Sequence, residues 1–224
     1  MGSALNPVEF PPLRLAAGDG DPRARLLVDA AYELLDEAGL EGLTIRAVLA
    51  RTGLARRAFY DNFSGKDDLM LAVFEQTIRL AADHYRMMAE ALPGPMARLA
   101  MIVTSIALGS ADVAAMAGAD LAAVHRRSTA MSREHLRLAE SRPDELHAAL
   151  APLRALFVEL LQAGIAAGEM RAGDADLRAS LIYNLVSTTA HTELLAEEGE
   201  APDHDRRRRL AAEVWEFCRR AIAV

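Results

Sequence analysis

Apolar residues return at helical spacing through nearly every segment of this chain, and runs rich in Val, Ile and Thr are almost absent. That pattern favours helix over strand, because β-branched and aromatic side chains suit a pleated surface whereas Ala, Leu and Arg suit a helix. Aromatic residues make up 5% of the sequence against 52% for all apolar types, so the expected fold is all-α. The punctuation by Gly and Pro predicts about nine or ten helices. A chain of 224 residues with this content buries a sizeable core, as one large domain or two modest ones.

Residues 1–20 carry Pro7, Pro11, Pro12, Gly18 and Gly20 without helical periodicity and read as a flexible arm. Order is expected from Asp21-Pro22, an N-cap followed by proline at the first helical position, with Leu27, Ala30, Ala31, Leu34, Leu35 and Ala38 on one face. Gly39 should end that helix. Thr44 is a second N-cap, ahead of Ile45, Val48 and Leu49, and Gly53 stops the short helix behind it. A third short helix is expected over Arg56 to Asn62. Ser64 to Asp67 then forms a capping-box pattern opening a long fourth helix, which runs to Leu92 before Pro93-Gly94-Pro95.

Further helices are expected between breaks at Gly109-Ser110, Gly118, Ser141 to Pro143, Gly168 to Gly173 and Gly199 to Pro202. Pro152 is read as the start of the helix bearing Leu153, Leu156, Phe157, Leu160 and Leu161, with Asp144 to Leu150 as a shorter piece ahead of it. The expected domains are 21–68 and 69–224.

The formal net charge of −7 argues against a surface that is basic all over, though not against a local basic patch. One cysteine, Cys218, cannot form an internal disulfide and reads as an inert packed thiol. No secretory signal is evident, and no uninterrupted apolar run has the length of a bilayer span, so a cytoplasmic protein without a membrane partner is expected. None of the six histidines follows a glutamate by three residues, as a di-iron bundle needs. Zinc-protease, phosphate-loop and nucleophile-elbow motifs are also missing, so no enzyme, metal or cofactor is implied.

Against the acidic background, Thr44 to Tyr60 carries Arg46, Arg51, Arg56 and Arg57 and no carboxylate. Two short helices around Gly53 have the spacing of a helix-turn-helix. Phe59 and Phe63, four apart, can pin the second helix to a core and leave Arg56, Arg57 and Tyr60 on the other side. Such arginines bond phosphates or grip guanine edges, and Thr44 and Tyr60 hydroxyls can reach phosphates. On spacing alone, a solvated helix face with Arg57 paired to Asp61 explains the same residues.

The segment Arg25 to Ala72 resembles the DNA-binding head of the TetR/AcrR family. The resemblance rests on Ala30-Ala31, Leu34-Leu35, Gly39, Thr44-Ile45, Val48, Gly53-Leu54, Phe59-Tyr60, Phe63, Lys66 and Leu69. It implies a three-helix DNA-binding head, a helical ligand-binding and dimerisation domain, and double-stranded operator DNA as partner. It further implies phosphate contacts from Thr44, Tyr60 and Lys66, with base reading from the start of the recognition helix, where Arg56 and Arg57 lie; Arg46 and Ala55 are further DNA-binding candidates. Ala55 departs from the Ser or Thr usual there, a loss of about 1 kcal/mol of capping. Asp61 puts a negative charge near the DNA face, either to pair with Arg57 or to meet a cytosine amino group. Lys66 is the one lysine in the chain, by chance or because a compact ammonium fits where a guanidinium would not.

The resemblance also implies a pocket between the fourth and seventh helices and a two-fold four-helix interface, hence a homodimer. Met87, Met88, Met96, Met101, Met116 and Met131 fall on the pocket helices and suit a small apolar or amphipathic ligand, although such residues are more often ordinary core. His125, Arg126 and Arg127 either meet an anionic head group or form a solvated face. The interface candidates are Phe157, Leu160, Leu161, Leu181, Leu185, Thr188 and Thr192. A competing reading of the whole chain is a helical carrier or dimerisation module that binds hydrophobic molecules without DNA, which leaves the acid-free basic strip unexplained.

Overall fold

The computed structural model describes residues 21–109, 121–196 and 203–224. The arm at 1–20, Met116 and the breaks at Ser110, Gly118 and Gly199 to Pro202 lie outside these residues. Among the described residues there are nine helices and no strand. They are α1 (Pro22–Gly42), α2 (Ile45–Thr52), α3 (Arg56–Tyr60), α4 (Lys66–Glu90), α5 (Gly94–Leu108), α6 (Leu121–Ser141), α7 (Pro143–Ala166), α8 (Ala175–Ala196) and α9 (His204–Ile222).

The chain divides into two compact units. The described part of the first is 21–73 with 121–130, and that of the second is 74–109, 131–196 and 203–224. Besides 21–68, the first of these units holds the start of α4 and the first half of α6.

Local chemistry explains the head. The Asp21 carboxylate accepts from Arg23 N at 2.9 Å, and Pro22 opens α1. Gly39 breaks the helical path with φ 62°, a left-handed angle that costs a side chain but not glycine. The Thr44 hydroxyl oxygen accepts from Ala47 N at 3.1 Å, and Gly53, at φ 68°, closes α2 on the carbonyl of Leu49. Leu27, Leu35, Leu43, Val48 and Phe59 are fully buried, each worth about 1.5–3 kcal/mol of apolar burial. At the start of α4 the reciprocal partner is Asp68 rather than Asp67. Its carboxylate accepts from the backbone N–H and the hydroxyl of Ser64.

Arginines then fasten α6 to α1 inside the head. Arg126 Nε donates to the carbonyl of Asp36 at 2.7 Å, and Arg127 pairs with the Asp36 carboxylate. The Arg127 guanidinium also lies 4.6 Å from the centre of the Tyr32 ring. Burial pushes the Tyr32 phenol up to about 12 against the opposing pull of Arg127. Neither sequence reading of this cluster holds for the two arginines: they meet neither a ligand head group nor bulk solvent, because Asp36 takes both.

In the second unit α5 packs against α7, α8 and α9, and α7 packs along α8. α7 runs unbroken through Pro152, so the expected short piece before that proline is the first two turns of the same helix. α7 is 24 residues long, and an 18-residue stretch of it with a mean hydropathy of 1.4 is apolar enough to cross a membrane, although Arg154 and Glu159 interrupt it. Leu146, Leu150, Leu153, Phe157 and Leu161 on it are buried within this chain, the pattern of a core helix. Cys218 is buried too, and its thiol is pushed up to about 11 by desolvation.

Candidate nucleic-acid interface

α3 is five residues long, and its two sides differ in kind. Ala58 and Phe59 are buried, with Phe59 packed against Phe63 at 5.7 Å between ring centres. This is the pinning that the four-residue spacing suggested. Arg56, Arg57 and Tyr60 are exposed on the other side. Arg56 Nη2 donates to the Tyr60 hydroxyl at 3.2 Å, with its guanidinium 5.4 Å from the ring centre. That contact pre-orients both groups without consuming the other guanidinium N–H donors.

The Arg57 side chain is 91% exposed, and its nearest carboxylate oxygen, on Asp61, stands at 3.9 Å. That separation is an ion pair in water but beyond hydrogen-bond length, so the guanidinium keeps its donors for another partner.

Shallow grooves flank α3 on both sides. One of about 490 Å³ is lined by Arg23, Leu54, Ala55, Arg57, Ala58 and Asp61. The other, of about 280 Å³, is lined by Ile45, Arg46, Leu49, Arg56 and Tyr60. Arg46, Ala55, Arg56, Arg57 and Tyr60 are therefore gathered on one face. Arg23 joins them, a residue the sequence reading missed because it lies in another helix, over thirty positions from α3.

Arg51, the remaining arginine of the basic strip, does not belong to that face. Arg51 grips Glu37 with two hydrogen bonds, of 2.8 and 2.5 Å, and reaches Glu33 at 3.1 Å. It joins α2 to α1, and the same bonds hold the Glu37 carboxyl below its ordinary range. Lys66 Nζ donates to the carbonyl of Leu40 at 3.2 Å, which satisfies a backbone group at the end of α1. A single point-like ammonium suits that task and still has N–H donors to spare. Thr44 is exposed; its oxygen accepts as a cap while its hydroxyl proton remains able to donate. Ala55 makes no side-chain cap, as its side chain requires.

The second unit arranges its polar groups the other way, inside. The rings of His135 and His191 stand 4.5 Å apart. His135 also lies 5.9 Å from Phe74 and 6.5 Å from Tyr183, which meets Phe157 edge-on at 6.4 Å. His191 Nδ1 shares a hydrogen bond of 2.9 Å with the Ser132 hydroxyl, whereas its Nε2 is buried without a partner. A polar atom left so costs about 1–3 kcal/mol. Desolvation lowers the pKa of both histidines, that of His191 to about 4 with a further push from His135. Burial likewise pushes the Tyr85 phenol up to about 12. Sequence reasoning missed this cluster, because its members are spread over four helices and share no motif.

Of the methionines named from sequence, those among the described residues differ in exposure. Met87 is 54% exposed, and Met88, Met96, Met101 and Met131 are half-buried. The Met101 sulfur accepts from the Ser105 hydroxyl at 3.7 Å. His125 is half-buried within the first unit, with Nδ1 lacking a partner. Among the interface candidates, Phe157, Leu160 and Leu161 are enclosed by this chain's own core. No second subunit can reach them without opening that core. The outward surface is instead Leu177 and Leu181, 57% and 60% exposed, continued by Thr188 and Thr192, with Leu185 half-buried. Ala148, Ala151 and Ala155 are exposed on α7. Among the described residues no cluster of metal-ligating side chains occurs.

Comparison with known proteins agrees with this geometry. Residues 27–73 match the model of bacterial regulatory proteins of the tetR family, and residues 106–221 match the C-terminal domain of AefR-like transcriptional repressors. Among curated proteins no sequence match is found. Solved structures share the fold at low identity. A transcriptional regulator from Cytophaga hutchinsonii aligns with TM-score 0.63 and 16% identity, over 91% of this chain and 100% of its own. The regulator FadR from Bacillus subtilis, solved with stearoyl-CoA, aligns with TM-score 0.62 and 19% identity, over 86% and 96%. The ketosteroid regulator KstR2 of Mycobacterium tuberculosis aligns with TM-score 0.51 and 18% identity, over 94% and 100%. These matches set aside both the carrier reading and an enzyme. With a family match at each end of the chain and a helix-turn-helix whose short second helix faces outward, the protein belongs to the TetR family of transcriptional regulators.

Proposed function

We propose that the protein is a homodimeric repressor that leaves its operator when a largely apolar small molecule binds its second unit. The observation that carries the DNA-binding face is the Arg57 side chain, almost wholly exposed beside Arg56 and Tyr60 on α3. In the major groove, α3 would set Arg56 and Arg57 against base edges. Thr44, Tyr60, Arg46 and Arg23 would hold phosphates on either side, and Lys66 would add one of its remaining donors. Repression is supported by the match to the C-terminal domain of AefR-like repressors. An apolar ligand is supported by FadR, solved with stearoyl-CoA, whose acyl chain is a large apolar body, and by the description of KstR2 as a ketosteroid regulator.

Dimerisation is supported by the exposed leucines of α8 and the alanines of α7. Small residues let a second pair of helices approach closely, and the leucines supply the area to bury, so two copies would form a four-helix bundle. The helices that carry the candidates named from sequence, α7 and α8, keep their place in this reading, with the inward residues removed from it. Sedimentation of the wild type at micromolar concentration should show a dimer, and Leu181→Glu should shift it to monomer. A wild-type monomer refutes the interface.

The functional test is a gel shift with the DNA upstream of the protein's own gene, repeated across apolar compounds. Release of DNA by a bound compound must be mirrored by an equal weakening of that compound by operator, since the coupling free energy is shared. Equal affinity with and without operator rules a compound out as the inducer.

A further inference from the structure

The buried cluster of the second unit supplies a chemistry that an apolar pocket by itself lacks. His191 sits on α8 with one ring nitrogen engaged by Ser132 of α6 at 2.9 Å and the other buried and unpaired. The His135 ring lies beside it at 4.5 Å, tilted, and Phe74, Tyr183 and Phe157 extend the cluster with aromatic rings. Ser132, Tyr183, Phe157 and Phe74 are all buried. We propose that this cluster is the specificity element of the second unit, and that it selects an apolar molecule bearing one neutral oxygen, a hydroxyl or a carbonyl, which hydrogen-bonds His191 Nε2. The inference rests on the reading that the second unit takes an apolar ligand and adds which polar group that ligand carries.

The donor arithmetic limits the partner. If the Ser132 hydroxyl donates to Nδ1, the proton of the neutral ring lies on Nε2, which then donates to a carbonyl or hydroxyl oxygen. If Nδ1–H donates to Ser132, Nε2 is an acceptor and needs a hydroxyl donor. A hydroxyl satisfies both tautomers, and a carbonyl satisfies the first. A carboxylate or phosphate would need positive charge to repay its desolvation, and burial keeps both imidazoles neutral at physiological pH. Of the two polar features a ligand of this kind can carry, a neutral oxygen and an anionic head, the cluster accommodates the first.

The test uses the full-length protein and three probes of one shape, 2-naphthol, naphthalene and 2-naphthoate, titrated calorimetrically at neutral pH. 2-Naphthol should bind about tenfold tighter than either of the others, the effect of one buried hydrogen bond. His191→Phe should abolish the preference for 2-naphthol over naphthalene while leaving naphthalene binding in place. His191→Gln, which restores a polar group, should recover part of it and also guards against a folding defect in the first variant. Equal affinity for 2-naphthol and naphthalene, tightest binding of 2-naphthoate, binding of none of the three, or an unchanged preference in His191→Phe each overturns the proposal. Its failure is distinct from failure of the repressor reading. If another apolar compound releases operator DNA while 2-naphthol does not bind, induction stands and the cluster is structural. If 2-naphthol binds with the expected preference and leaves operator affinity untouched, the cluster stands and that compound is no inducer.

Discussion

The head and the second unit use polar side chains in opposite ways. On α3 the groups that define the site face outward: Arg57 is open to water, Arg56 is steadied only by Tyr60, and both lie within five consecutive residues. In the second unit the comparable groups face inward. His135, His191 and Tyr183 come from two helices, lean on Phe74 and Phe157 from two more, and are neutralised by burial. A surface built to meet a polyanion can be exposed and local, because its partner brings the charge. A site built to meet a small apolar molecule must be buried, and burial requires several helices to converge.

Four measurements would break or sharpen that contrast. The largest effect is expected for Phe157→Ala, which removes a fully buried ring and should lower stability by about 3–5 kcal/mol in chemical denaturation. If the residue served a subunit interface instead, the loss would appear as a weaker dimer with the unfolding of the protomer unchanged.

Second is the dependence of stability on pH. The folded-state pKa of His191 lies below its ordinary 6.5, at about 4, so the unfolded chain binds the proton more readily. The neutral ring therefore contributes its full stability above about pH 6.5, and the contribution is lost as pH falls from there towards 4. The span corresponds to about 3 kcal/mol at most. Thermal melts should fall across that window, and His191→Phe should flatten the fall. The exposed carboxyl of Glu216, held down to about 2 by Arg219 and Arg220, acts in a separate, more acidic window below its ordinary 4.5. A wild-type melting curve unchanged between pH 6.5 and 4 would mean that the second unit does not bury its polar groups as described.

Third, Arg57→Ala should cost about 1–3 kcal/mol of operator affinity and relax specificity at one base pair, with the melting temperature unchanged. Arg23→Ala should weaken all sequences alike and reduce the salt dependence by about one phosphate contact. The smallest effect belongs to Ala55→Ser, which supplies the cap missing at α3 and should stabilise the head by about 0.5–1 kcal/mol. A Ser there that leaves both stability and DNA affinity untouched would mean that α3 is held by Phe59 packing alone.

How much was legible from sequence divides along the same line. Asp21, Thr44, Gly53 and the Phe59–Phe63 spacing act on neighbours within four residues, so their roles follow from local stereochemistry and appear in the structure as read. The acid-free strip pointed to the face proposed to meet DNA, but did not show that Arg51 is taken up by Glu33 and Glu37 or that Lys66 caps α1. Those partners are distant in sequence, and a charge pattern carries no information about which oppositely charged residue a fold brings near.

Helical periodicity by itself determined the all-α class, the position of the helix-turn-helix and the outward side of α3, because each depends on the fixed pitch of one helix. Which side of α7 points inward was beyond it. Phe157, Leu160 and Leu161 read as an apolar face that could meet a partner subunit, and only packing against α5 and α8 turned that face into core and left Leu177 and Leu181 outside. The same limit hid His191, which is an ordinary polar residue on a helix until Ser132 and His135 of α6 meet it. Apolar burial is non-directional: a sequence marks which residues avoid water, and the tertiary structure decides which neighbours they avoid it with.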